Sequence, residues 1–215
     1  MANVRYLFHR SLPLYGFSEV EAAIAVLHDV PAERRSAFSH RLKHLQRLGF
    51  PKGINTGRGK AATYLPEHVF QMAVAVELLQ FGFTPDPAAR TVTANLDYLA
   101  LGVVQHDLNR GRERIICGFR AEGLFDRSSQ ETAIISRLEC EPTSRTIAPL
   151  GEWFNETEEV NRVALFSLSS LIAKLDKSLP SEPGRFEEQL KAWAVTIIDK
   201  KGIPNRSGYR GPDGD

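Results

Sequence analysis

Lys52, Asn55, Thr56, Arg58 and Lys60 lie close together in the chain, interleaved with Gly53, Gly57 and Gly59. Cationic and amide or hydroxyl donors on a glycine-rich segment suit the binding of phosphate oxygens, because glycine lets the backbone approach an anion closely. Just upstream, Arg35, Ser36, Ser39, His40, Lys43, Gln46 and Arg47 recur at helical spacing. Arg and Lys suit guanine edges or phosphates, Gln suits adenine, and Ser suits either base edges or phosphate. From Arg34 to Pro66 the chain carries eight Lys and Arg and no Asp or Glu. An ordinary solvated helix face mixes carboxylates among its cations. The chemistry expected of this window is therefore recognition of a polyanion.

Other chemistries fare worse. The run "GINTGRGK" lacks the phosphate-loop form G-x-x-x-x-G-K-[ST], since Ala61 follows Lys60 where a magnesium-binding hydroxyl is required. His40 and His44 have the i, i+4 spacing of a helical metal pair, but the Glu of that motif is absent, and no metal or cofactor is expected. Cys117 and Cys140 lack metal-ligand spacing and sit in apolar, strand-like segments, which suits small buried hydrophobes. There is no Gly-x-Ser-x-Gly elbow, and no catalytic residue is nominated.

Charge is distributed unevenly. Residues 1–68 hold ten Lys and Arg against five Asp and Glu, in a chain whose total is +1, so the remainder carries −4. Five of the six histidines fall in the same N-terminal part. With 42% hydrophobic and 25% charged residues in 215, the composition is that of a soluble globular protein with a real core. No apolar run approaches the ~20 residues of a membrane span. The start does not read as a secretory signal, so a cytoplasmic, nucleoid-associated setting is expected.

The elements that must position these groups follow from caps and breakers. "SEVEAAIAVLHDV" reads as a helix with Ser18 as N-cap and Pro31 as its stop. Pro31 then opens a second helix over residues 32–48, which Gly49 and Pro51 end. On its wheel Phe38, Leu42 and Leu45 group on one side, opposite the polar basic face. "KGI" and "ATYL" flank the glycines as strand-like arms, which predicts a hairpin with Arg58 and Lys60 at its tip. After Pro66 an apolar helix runs to Gly82, and Thr84-Pro85 opens another helix reaching Leu99. Beyond residue 100, "RIICGF", "TAIISRLEC" and "RVALFSL" read as strands, followed by helices over "SLSSLIAKLDKSL" and "RFEEQLKAWAVTIIDKK".

In this order of elements, residues 18–93 resemble the winged helix-turn-helix DNA-binding domain of the MerR family of transcriptional regulators. The resemblance rests on "GINTGRGKAATYLPEHV", with Arg58 and Tyr64 in the telling places of the wing, and on "LLQFGFTPD" at the end of the helix that follows. The segment Pro31–Phe50 is longer than that family's recognition helix, and nothing after residue 100 resembles its dimerisation helix or metal-binding cysteines. The resemblance implies Tyr64 as a further DNA contact; given these departures, metal sensing does not carry over.

The fold class expected is α+β, mainly helical. An N-terminal arm (1–17) leads into a winged helix-turn-helix (18–99). A smaller α/β module with a few antiparallel strands (100–204), serving self-association, an effector or a protein partner, and a disordered tail (205–215) follow. The function expected is sequence-specific double-stranded DNA binding by a homodimeric, non-enzymatic transcriptional regulator. An architectural or accessory DNA-binding factor of excisionase or packaging type, and a protein-interaction module, are the alternatives.

Overall fold

The computed structural model describes residues 14–54, 61–110, 113–120, 133–139 and 163–201. Among them the chain is mainly helical, with two small antiparallel sheets. Strand β1 (Tyr15–Gly16) runs directly into helix α1 (Phe17–Leu27). The N-cap of α1 is Gly16, not Ser18. The Gly16 N–H is held by the Glu19 carboxylate at 2.7 Å, which satisfies a donor at the strand–helix junction and leaves Ser18 in the first turn.

A single 3₁₀ turn, Ala32–Arg34, precedes helix α2 (Arg35–Arg47). Phe38, Leu42 and Leu45 are its buried residues, as the wheel requires. Gly49, at φ 75°, reverses the chain at its end, a left-handed conformation that costs glycine little.

Strand β2 (Thr63–Tyr64) pairs antiparallel with β1, placing Tyr15 opposite Tyr64 and Gly16 opposite Thr63. The hairpin expected over residues 52–64 is corrected on both described sides. Lys52 and Gly53 form a turn rather than a strand, and the partner found for the second arm is β1. Two fully buried tyrosines across one register explain the choice, since their pairing brings the start and the middle of this region into one core. Asn55, Thr56, Arg58 and Lys60, the tip of the expected hairpin, lie outside the described residues.

Helix α3 (Pro66–Gln80) follows, with every residue from Val69 to Val76 buried. A helix apolar on all sides belongs at the centre, and α3 packs against α4 (Pro85–Ala94), α6 (Leu168–Ser178) and α7 (Arg185–Lys201). The segment expected as one helix from residue 84 to 99 is two. Asn95 is the buried joint, its amide bonded to the Thr91 carbonyl, and α5 (Leu96–Leu108) continues past it.

The domain boundary expected at residue 99 thus falls inside α5. The second sheet has the order β4 (Ala133–Glu139), β3 (Glu113–Arg120), β5 (Val163–Ser167), antiparallel throughout. Ile115, Cys117 and Phe119 alternate into the core, where Phe119 stacks on Phe166 at 6.0 Å. Cys117 is fully enclosed, and burial pushes its thiol well above the usual range. Helices α6 and α7 return to the N-terminal part, and Phe70 of α3 meets Trp193 of α7 with ring centroids 6.1 Å apart. One continuous hydrophobic cluster joins residues from Tyr15 to Ala194, so the two expected modules share a core.

Candidate nucleic-acid interface

Once Phe38, Leu42 and Leu45 are buried, the 3.6-residue period forces Ser36, His40, Lys43 and Arg47 outward, and all four are exposed. Lys52 stands exposed on the turn just beyond the helix. His40, Lys43, Gln46 and Arg47 line an open depression of about 520 Å³. Among the described residues, Arg41, Lys43, Arg47 and Lys52 form no ion pair. The ion pairs that are present involve α4, α5 and α7. Asp86 holds Arg90, Glu187 holds Arg110 at 2.5 Å, and Asp107 holds Lys191 at 2.7 Å. Lys43 and Arg47 of α2, with Lys52 just beyond it, therefore present positive charge without a carboxylate partner among the described residues.

Not every side chain expected on this face is free. Ser39 donates its hydroxyl to the Glu21 carboxylate of α1 at 3.0 Å. Arg35 donates through Nε to the Val30 carbonyl at 3.1 Å, bracing the turn before α2. The Gln46 amide donates to the Tyr64 hydroxyl. Lys43 places its ammonium 5.6 Å from the centre of the Phe17 ring, a cation–π contact across to the first residue of α1.

Tyr64 is the clearest correction. It is fully buried, and burial drives its phenol up to about 12. A ring enclosed between β1 and α3 has no surface to offer a duplex, so Tyr64 supports α2 through Gln46 rather than touching a ligand itself. Sequence patterning placed Tyr64 on a wing arm; the pairing of that arm with β1 is what turns the ring inward.

His68, which lies outside the expected DNA-contact set, organises the turn beyond α2. Its Nδ1 accepts from the Leu65 N–H at 3.2 Å, closing the first turn of α3, and the ring is also hydrogen-bonded to the Lys52 backbone. Burial lowers its basicity, so the neutral imidazole that this acceptor role requires is favoured. The signal was present in the sequence, since His68 follows Leu65-Pro66 at the N3 position where capping side chains reach back.

A second polar constellation lies far along the chain. His106 Nδ1 is 3.1 Å from Ser169 Oγ, and its Nε2 is 3.9 Å from Glu187. A serine, a histidine and a carboxylate in series have the composition of an acyl-transfer triad. Ser169 is buried, however, and its hydroxyl oxygen also accepts from the Ile115 N–H at 2.9 Å. The group is a polar tie between α5, β3, α6 and α7. Among the described residues no cluster of His, Cys, Asp and Glu is arranged to hold a metal, and no helix is long and apolar enough to cross a membrane. Compared with known proteins, the chain matches no family model, no curated protein and no solved structure.

Proposed function

We propose that this protein binds double-stranded DNA sequence-specifically through the outer face of α2, as a regulator of transcription. The observation that carries the reading is the unpaired charge of Lys43 and Arg47 beside an open depression, on a helix whose opposite face is fixed in the core, with Lys52 exposed on the turn just beyond it. Duplex DNA presents about one negative charge per 1.7 Å of axis, and its major groove, ~12 Å wide, admits a single helix. Helices α1 and α4 hold α2 from behind, and Tyr64 of β2 reaches it through Gln46. Two copies on paired half-sites would supply the contacts that one reading head lacks.

The test is selection of the purified chain against random duplex DNA, followed by titration of the enriched pool at several salt concentrations. The reading expects an enriched motif and a log–log salt slope of several units. A two-fold symmetric motif supports the dimer. Steep salt-dependent binding without enrichment favours an architectural role. Failure to bind any duplex at low salt refutes DNA binding.

A further inference from the structure

The outer face of α2 is divided by its own internal bonds. Gln46, which has the side chain best suited to adenine, commits one of its two amide N–H donors to Tyr64, which fixes the orientation of the amide. Ser39 commits its hydroxyl to Glu21, and Lys43 leans over Phe17 of α1. Each of these three is drawn toward a neighbouring element. His40 and Arg47, by contrast, have no hydrogen bond or ion pair among the described residues, are exposed, and open on the same depression.

We infer that Arg47 and His40 are the base-reading pair of this surface, with Gln46 and Ser39 positioning α2 and Lys43 supplying sequence-independent attraction. The inference rests on the reading of α2 as the duplex-binding face. His40 and Arg47 are seven residues apart, two helical turns, so they lie on one face about 10.5 Å apart along the axis. That separation corresponds to about three base-pair steps of ~3.4 Å. The Arg47 guanidinium can donate twice to guanine O6 and N7. An imidazole N–H donates once, and the N7 acceptor it meets in the major groove is common to both purines. The ligand recognised is thus B-form DNA carrying a guanine and, about three pairs away, a purine.

The experiment is selection from one random duplex library with the wild-type full chain, Arg47→Lys, His40→Ala, Lys43→Ala and Gln46→Ala. Arg47→Lys keeps the charge and loses the paired donors. It should lower the guanine preference at one position roughly tenfold while leaving the salt slope intact. His40→Ala should erase a purine preference about three pairs from that guanine. Lys43→Ala should weaken binding to all sequences alike and reduce the salt slope by about one. A motif unchanged by both Arg47→Lys and His40→Ala, or a position lost only in Gln46→Ala, overturns the assignment and leaves DNA binding standing. A wild-type chain that binds no duplex at low salt removes the underlying reading as well.

Discussion

The amide of Gln46 donates to the hydroxyl of Tyr64, joining helix α2 to strand β2. Tyr64 is enclosed on every side, so this bond is the point at which the core sets the orientation of the candidate binding face. Removing either partner has a different cost. Gln46→Ala strands a buried hydroxyl and should lower stability by about 1–3 kcal/mol, whereas Tyr64→Phe removes the hydroxyl itself and should cost about 1 kcal/mol. Urea denaturation of the two single variants and the double variant measures the coupling. A double variant no more stable than the sum of the singles predicts would show that the two side chains act independently.

Asp176 plays the comparable part at the other end of the chain. Its carboxylate accepts from the Gly184 N–H at 2.7 Å and the Glu187 N–H at 3.4 Å, so a buried acid on α6 caps the start of α7. Asp176→Ala should destabilise the fold by about 2 kcal/mol, and Asp176→Asn, which keeps one acceptor, by less. Thermal denaturation ranks the two; an alanine variant with an unchanged midpoint would remove the capping role.

Three half-buried histidines give the protein a defined sensitivity to acid. Burial is the first cause of lowered basicity in His28, His68 and His106, and His28 falls to about 4. Lys174 lowers His28 further, and Arg110 does the same for His106, while Glu187 and Asp107 oppose it there. A group harder to protonate when folded makes the unfolded chain take up more protons as pH falls. Stability should therefore be full above the ordinary histidine value of ~6.5 and decline below it, with the His28 contribution declining down to about 4. Glu77, raised by burial, acts with the opposite sign and stabilises at the acid end. Denaturation midpoints should hold from about pH 7.5 to ~6.5 and fall from there to about 4.5. A flat or rising profile would mean that these rings are solvated.

Elements with a strong periodic or punctuating signal were legible from residues alone. The amphipathic pattern over Arg185–Lys201 predicts the final helix with its observed span. The buried stripe of α2 was equally plain. What local pattern did not carry was pairing between distant segments. Thr63–Tyr64 was assigned to a hairpin with its sequence neighbours, yet β1, nearly fifty residues earlier, is its partner. The same limit misplaced Tyr64 in the candidate site and hid the bonds that engage Ser39 and Gln46. The boundary at residue 99 was drawn where β-rich composition begins, whereas the shared core of Phe70 and Trp193 is formed by contact across the chain.

Glu21 makes the charge on the candidate interface adjustable. It is the acidic group that α1 brings against α2, where it accepts from Ser39 and remains half-buried. Beside a bound duplex its negative charge opposes the phosphates that Lys43 and Arg47 attract. At ~7 Å through water, one such repulsion amounts to about 0.6 kcal/mol, or roughly a threefold change in affinity. Glu21→Gln keeps an acceptor for Ser39 and removes the charge. Binding to arbitrary duplex DNA should tighten roughly threefold at low salt, with the gain vanishing as the Debye length shrinks to ~3 Å near 1 M. Fluorescence anisotropy on a duplex without the selected motif measures it directly. Weaker binding in this variant would show that Glu21 serves only to hold Ser39, and equal binding would place the carboxylate outside the reach of the phosphates.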